Sequence, residues 1–128
     1  MMNNIILLIG LPGSGKTTWA RKLNNESDNK FRIIDDPKNF ELDIKSYLND
    51  NLIIVDPNLC FEVNRINAIN KIKELSPDSK IDCIYFENNP EKCLINAERR
   101  GGKKVNSFIK NLSKFYIIPS GSTIIKVF

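Results

Sequence analysis

The fold is decided by the eight residues Gly10-Leu11-Pro12-Gly13-Ser14-Gly15-Lys16-Thr17. They match the pattern Gly-x-x-x-x-Gly-Lys-Ser/Thr, a loop that wraps backbone N–H groups around phosphate oxygens when a buried strand precedes it and a helix follows. Both neighbours are present, because the apolar run 5–9 comes directly before the loop and residues 18–23 can continue as a helix. The stretch therefore predicts a phosphate-binding loop, or P-loop, with a nucleoside triphosphate as its ligand.

The residue types in this loop suit phosphate chemistry. Glycine adopts the positive φ angles that a tight concave turn needs, and the N–H groups at the start of the next helix favour an anion. Lys16 has the reach to contact the β- and γ-phosphates, and Thr17 offers a hydroxyl oxygen to a phosphate-bound Mg²⁺. The alternative is an ordinary glycine-rich turn. The predicted ATP-binding residues are Gly10, Pro12, Gly13, Ser14, Gly15, Lys16, Thr17 and Thr18.

Length and composition are those of one globular domain. The chain has 128 residues, of which 41% are hydrophobic and 27% charged, which is enough for one hydrophobic core. We therefore expect a single domain over residues 1–128. No apolar run approaches the ~20 residues of a membrane span, and the run 5–9 is too short for a signal peptide. These features predict an intracellular protein without a membrane partner.

The cysteines and the lack of histidine limit the chemistry that the chain can perform. Cys60, Cys83 and Cys93 form no Cys-x-x-Cys pair, and the sequence contains no histidine. A zinc site or a disulfide framework is therefore not expected, and the cysteines are predicted to be small buried hydrophobes. Without histidine, any general base has to be a carboxylate.

The net charge of +4 is spread unevenly along the chain. Residues 99–128 contain seven Lys or Arg and no acid, whereas the first 98 residues contain 12 bases and 15 acids. A basic segment of this kind favours a polyanion such as nucleic acid as a partner. The alternative is a solvated basic face with no ligand.

Short apolar runs alternate with segments of helical period along the whole chain. This pattern predicts an α/β fold of three layers, in which a five-stranded, mostly parallel sheet carries helices on both faces. The predicted strands cover residues 5–9, 31–35, 52–55, 81–86 and 123–128. The predicted helices cover about 17–24, 40–48, 59–75, 90–100 and 105–116. The long third helix is expected to bury one side formed by Leu59, Val63, Ile66, Ile69, Ile72 and Leu75.

Three aspartates follow the second and third strands of this sheet. Ligands of open parallel sheets bind beyond the carboxyl ends of the strands, so Asp35, Asp36 and Asp56 should lie beside the P-loop. Asp35 is the predicted general base, the alternative being a solvated turn acid before Pro37. Asp36 would orient the acceptor or help to hold metal. Asp56 would bind Mg²⁺ directly or through water, or cap the turn that starts at Pro57, or do both.

The basic stretch Arg99-Arg100-Gly101-Gly102-Lys103-Lys104 predicts a small lid over about residues 99–106. Its glycines would act as hinges, and its guanidinium groups would close over the phosphates. The alternative is the end of a helix, where arginine lies near the negative end of the dipole and glycine is the cap. The two lysines add charge that capping does not require.

The chain resembles the 5′-hydroxyl kinase domain of the phage-type polynucleotide kinases, within the small P-loop kinases. The similarity is close over residues 5–21 and continues in Asp35-Asp36, in Asp56-x-Asn58-Leu59, and in Arg100-Gly101 followed by basic residues. The resemblance implies a P-loop kinase fold, with Asp35 as the general base. It also implies that Lys16 and Arg100 stabilise the transferring phosphoryl group, and that Asp36 or Asp56 contacts the acceptor.

The chain departs from that family at three points. Lys38 and Asn96 stand where the family has arginines, and lysine cannot make a bidentate contact with phosphate. The segment between Asp36 and Asn51 is also much shorter than the helical region that helps to form the family's acceptor tunnel.

We therefore expect a Mg²⁺- and ATP-dependent kinase that transfers a phosphoryl group to a hydroxyl, with the 5′-hydroxyl of DNA or RNA as the preferred acceptor. One alternative is a kinase of a small molecule, such as a nucleoside or another metabolite. The other is a nucleotide-binding regulatory module without kinase activity.

Overall fold

The computed structural model describes residues 3–101 and 105–127. Its strands are β1 (Asn4–Ile9), β2 (Phe31–Asp35), β3 (Asn51–Val55), β4 (Lys80–Phe86) and β5 (Ile124–Ile125). Its α-helices are α1 (Lys16–Glu26), α2 (Phe40–Ser46), α3 (Glu62–Leu75), α4 (Pro90–Arg99) and α5 (Asn106–Phe115), and a 3₁₀ turn covers Pro57–Cys60.

The five strands form one sheet in the order β2-β3-β1-β4-β5, and every neighbouring pair is parallel. The α/β prediction is confirmed, with a sheet that is parallel throughout. β1 lies at the centre, where Leu7 is opposite Ile54 of β3 and Cys83 of β4. The chain leaves β1 for the β2–β3 side and later crosses back to β4, so the strand order reverses beside β1. A reversal of this kind opens a crevice at the carboxyl ends of the strands.

Both faces of the sheet are buried by helices, as the sequence predicts. Ile5, Leu7 and Ile9 point to one face, where they pack in a cluster with residues of α2, α3, α4 and α5. Ile6 and Leu8 point to the other face and pack against α1. The odd and even residues of β1 thus serve different cores, which explains why this strand is apolar at every position from 5 to 9.

Trp19 of α1 belongs to the second core. Its ring meets that of Phe86 edge-on, with 6.4 Å between the ring centroids. Trp19 therefore packs in this core rather than offering an open ring on which a base could stack.

The prediction for the third helix is wrong in two respects. The predicted segment 59–75 divides into the 3₁₀ turn and α3, because Phe61 between them has an extended backbone with ψ 127°. Val63 and Ile66 are 67% and 48% exposed, whereas Arg65 is only 5% exposed. The apolar residues of this segment are spread over two faces of the helix. In the fold, the face with Ala68 and Ile72 packs against the sheet.

The last strand is shorter than predicted. β5 pairs only with the final two residues of β4, Tyr85 and Phe86, whereas the sequence predicts a strand over residues 123–128. The chain leaves the ladder because the N–H of Val127 donates to the side chain of Glu87 at 2.9 Å rather than to a backbone carbonyl. Residue 128 lies outside the described residues.

Within residues 3–101 and 105–127, none of the helices combines the length and the apolar character that crossing a bilayer requires.

Candidate active site

The P-loop connects the carboxyl end of β1 to the first turn of α1. Gly13 and Gly15 have φ angles of +83° and +96°, the left-handed region that favours glycine. The N–H of Ser14 donates to the carbonyl of Leu11 at 3.1 Å, which closes the turn. A Cβ added to Gly10 would lie 2.8 Å from both Phe86 Cβ and Ser14 Oγ. The loop therefore has the concave shape that the sequence predicts.

Lys16 lies beneath the loop and is 6% exposed. Its Nζ donates to the carbonyl oxygens of Gly10 and Leu11 at 2.5 and 2.8 Å, and it is 3.4 Å from Ser14 Oγ. Burial lowers the pKa of this ammonium to about 8, because charge is less stable away from water. The three N–H groups of this ammonium could instead donate to phosphate oxygens, which carry negative charge.

Thr17 and Asp35 meet at the edge of the loop. The Thr17 hydroxyl donates to Asp35 Oδ2 at 3.2 Å, across 18 residues of sequence. Asp35 is the last residue of β2, and the lone pairs of the Thr17 oxygen stay available because the hydroxyl uses its hydrogen. The structure thus joins the predicted base to the predicted metal ligand.

Asp36 continues the pairing of β2 with β3 for one more residue. Its N–H donates to the carbonyl of Val55 at 2.7 Å, and its φ of +52° lies in the left-handed region. This conformation is uncommon for a residue other than glycine and turns the chain away before Pro37.

Asp56 caps the 3₁₀ turn that follows β3. Its Oδ1 accepts the N–H of Asn58 at 2.9 Å, and Pro57 is the first residue of the turn. Burial is the largest cause that raises the pKa of its carboxyl group, and the nearby Asp36 carboxylate raises it further. The capping interpretation is therefore confirmed, and a role for Asp56 in binding metal stays a prediction.

A cavity of about 300 Å³ opens between the P-loop and the carboxyl ends of β2 and β3. It brings together the residues that the sequence singles out for catalysis. Asp56 faces a neighbouring cavity instead, and Thr18 lines a third one beside α4. The 300 Å³ cavity is lined by Pro12, Gly13, Ser14, Gly15, Lys16, Thr17, Asp35, Asp36 and Arg100, together with Val55, Pro57, Val105 and Phe108.

Helix α4 supports the P-loop from the side opposite α1. Asn96 Nδ2 donates to the carbonyl of Gly13 at 3.0 Å. A Cβ on Gly13 would collide with the carbonyl oxygen of Cys93, so the helix backbone touches the loop directly. Sequence reasoning noted Asn96 only as a departure from a resemblance and missed this contact, since nothing local links residues 83 positions apart.

Two cysteines lie near the ammonium of Lys16. Cys60 and Cys93 are both fully buried, and burial raises the pKa of their thiols to about 12 and about 11. They are uncharged packing residues at neutral pH, as predicted, whereas the third cysteine, Cys83, is only partly buried and differs from the prediction in this respect.

The end of α4 has the geometry of a helix cap. Gly101 has a φ of +75°, and its N–H donates to the carbonyl of Glu98 at 2.9 Å. The capping alternative for this stretch is therefore confirmed. Arg100 reaches the cavity at the P-loop, but residues 102–104 lie outside the described part of the chain. The lid over about 99–106 stays a prediction.

Arg65 and Tyr116 hold the ends of the strands that form the site, and sequence reasoning missed both roles. Arg65 Nη1 donates to the carbonyls of Leu59 and Cys60, each at 3.1 Å, and so fixes the turn behind Asp56. The Tyr116 hydroxyl lies 3.1 Å from the carbonyl oxygen of Ile9, immediately before the P-loop.

A comparison with known proteins finds a relative of similar sequence. The uncharacterized protein R277 of Acanthamoeba polyphaga mimivirus is 36% identical over 115 residues, which are 81% of this chain and 78% of that protein. This chain belongs to the same family. No family model matches the sequence.

Two solved structures of kinases are similar to this chain in fold. A fungal RNA kinase matches with a TM-score of 0.70 and 17% identity, over 98% of this chain and 74% of that one. A gluconokinase from Sinorhizobium meliloti 1021 matches with a TM-score of 0.66 and 13% identity, over 98% and 82%. The P-loop kinase fold predicted from the sequence is confirmed.

Proposed function

We propose that this protein is a Mg²⁺- and ATP-dependent kinase that transfers the γ-phosphoryl group to the 5′-hydroxyl of DNA or RNA. The observation that carries the proposal is the hydrogen bond from Thr17 to Asp35 at the mouth of the 300 Å³ cavity. Around this one space lie the Asp35 carboxylate, the Thr17 hydroxyl and the buried ammonium of Lys16.

The nucleotide would lie along the P-loop, with its β- and γ-phosphates over the first turn of α1. The N–H of Ser14 closes the loop by donating to Leu11, and the unpaired N–H groups of the first turn of α1 would favour the anion. Lys16 would donate to phosphate oxygens. Asn96 supports the loop itself, because its amide donates to the Gly13 carbonyl.

The residues at this edge suit Mg²⁺. Thr17 would supply one oxygen ligand, and Asp36 and Asp56 lie on neighbouring strand ends where they could hold metal-bound water. A bound Mg²⁺ would neutralise charge on the β- and γ-phosphates. Few protein ligands are needed, because Mg²⁺ keeps several waters when it binds together with phosphates.

Phosphoryl transfer would then proceed in line between donor and acceptor. Asp35 accepts the proton of the acceptor hydroxyl, whose oxygen forms a bond to the γ-phosphorus. The bond from that phosphorus to the β–γ bridging oxygen breaks, and ADP leaves. Lys16 and Arg100 stabilise the negative charge on the transferring group.

Two observations support a nucleic-acid acceptor. One solved structure with this fold is a fungal RNA kinase, and the chain carries seven Lys or Arg and no acid in residues 99–128. A small-molecule acceptor is the second candidate, because α2 has only seven residues and a gluconokinase shares the fold.

Labelled ATP with a 5′-hydroxyl oligonucleotide tests the proposal, and the same oligonucleotide with a 5′-phosphate is the matched control. We expect label on the first substrate alone. Asp35→Asn should lower kcat by about 10²- to 10⁴-fold with unchanged nucleotide affinity, because asparagine still accepts the Thr17 hydrogen bond. Asp28 lies in the loop before β2, at the amino ends of the strands and therefore away from the site. Asp28→Asn should change neither kcat nor the nucleotide affinity.

Three outcomes would contradict parts of the proposal. Label on gluconate or a free nucleoside, but on no oligonucleotide, would favour the small-molecule kinase. Full activity of Asp35→Asn would reject the base. Nucleotide binding without transfer to any hydroxyl would favour the regulatory module.

A further inference from the structure

A second cavity, of about 450 Å³, lies between α2, the 3₁₀ turn and α3. Its volume is in the range of small-ligand sites, which is roughly 300–1,000 Å³. We call it the α2–α3 groove. Asp56 lines the groove, while the residues on either side of Asp56, Val55 and Pro57, line the cavity at the P-loop. The groove therefore adjoins the space where the phosphoryl group would be transferred.

The walls of the groove are of two kinds. Phe40, Leu59 and Ala68 supply an apolar surface that includes one aromatic ring. Asn58, Asn64 and Asn67 supply side-chain amides, each with a donor and an acceptor. Asn64 Nδ2 donates to the carbonyl of Asn58 at 3.0 Å, which ties the end of the groove to the 3₁₀ turn.

The charges of the groove do not suit a phosphate. Its acids are Glu41 and Asp56, and its one base is Lys71. The Lys71 ammonium is 3.8 Å from Glu41 and 3.4 Å from Glu74, so two carboxylates already surround it. An anionic group would meet net negative charge, so an uncharged ligand fits the groove better than a phosphate does.

A flat heteroaromatic ring satisfies these walls better than a polyol. One face of the ring can lie against Phe40, and base–aromatic stacking contributes about 1–3 kcal/mol per base. Its edge can meet the asparagine amides, which match the paired donors and acceptors of nucleobases. A sugar alone has hydroxyls on both faces and would leave some of them against the apolar wall.

We propose that the α2–α3 groove binds the base of the terminal nucleoside that carries the acceptor hydroxyl. The inference rests on the proposed function and adds how the substrate is recognised. An uncharged base would bind in the groove, while the 5′-hydroxyl of the same nucleoside would extend past Asp56 to Asp35. The next phosphate of the strand would lie outside the groove.

The test compares a 5′-hydroxyl oligonucleotide with the same oligonucleotide in which the 5′-terminal nucleotide is abasic. We expect the KM of the abasic end to be about tenfold higher or more. Asn67→Ala should raise the KM of the base-bearing end roughly fivefold or more and leave that of the abasic end unchanged. Asn70→Ala, on the same helix and also exposed but outside the groove, is the matched control and should change neither.

A binding experiment separates failure of the groove from failure of the kinase. Adenosine, cytidine, guanosine and uridine are titrated into ¹⁵N-labelled protein, and the side-chain amide signals of Asn58, Asn64 and Asn67 are followed by NMR. Shifts that Asn67→Ala abolishes would support the groove even if no oligonucleotide were phosphorylated. No shift with any of the four nucleosides would overturn it. Equal KM values for abasic and base-bearing ends would also overturn it while leaving the kinase intact.

Discussion

The buried ammonium of Lys16 predicts a pH dependence for nucleotide binding. Burial lowers its pKa to about 8 in the free protein, and bound phosphates would raise that pKa again because they favour the charged form. Binding above pH 8 therefore requires uptake of a proton. Affinity should be nearly constant below the pKa of the free protein and should fall as pH rises through it.

The size of the effect follows from this pKa. About nine-tenths of the ammonium is protonated at pH 7 and about one-tenth at pH 9, so Kd should rise roughly tenfold, or ~1.4 kcal/mol. The neighbouring thiols do not interfere, because burial puts the pKa values of Cys93 and Cys60 at about 11 and about 12.

Equilibrium binding of a non-hydrolysable ATP analogue from pH 6.5 to 9.5, at constant Mg²⁺ and ionic strength, measures this dependence. Calorimetry at pH 9 in two buffers of different ionisation enthalpy should show uptake of close to one proton. Lys16→Arg is the control, since a guanidinium stays charged over the whole range. A flat profile for the wild type, or an equal fall in the arginine variant, would refute the reasoning.

Two further predictions concern residues that support the site. Asn96→Leu should weaken binding of the same analogue about three- to tenfold, because the Gly13 carbonyl loses its donor. Glu98→Gln, on the same helix, is the control. A change in Kd below about twofold for Asn96→Leu would argue against a role for the contact. Arg65→Met should lower the free energy of unfolding by about 2–3 kcal/mol, because two buried carbonyls of the turn after β3 lose their donor. Urea denaturation measures this loss against Lys73→Met, an exposed position of α3, and equal stabilities of the two variants would contradict it.

The parts of the fold that sequence predicts well are those that local chemistry decides. The P-loop is contiguous with β1 and α1, so its glycines, lysine and threonine are recognisable at fixed spacing. Residues 5–9 of β1 and 52–55 of β3 are all apolar because both faces of a parallel sheet are covered. The aspartates at the ends of β2 and β3 then follow from the rule that ligands bind at that edge.

The parts that sequence misses depend on contacts between distant residues. The hydrogen bond from Asn96 to Gly13 joins residues 83 positions apart, and that from Tyr116 to Ile9 joins residues 107 apart. No periodicity or motif encodes such pairs. The orientation of α3 belongs to the same class, because its apolar residues fit two faces and only packing against the sheet selects Ile72 over Val63.

These distant contacts explain how a short chain holds the P-loop and Arg100 in place. Helix α4 touches Gly13 through Cys93 and Asn96, and Arg100 follows directly at its end. One helix of ten residues therefore sets the P-loop and the guanidinium relative to each other. The proposed acceptor side lies between α2, which has seven residues, and α3, at a groove that is open to solvent. We therefore expect the nucleotide side to be rigid before binding and the acceptor side to depend on contacts that the substrate itself provides.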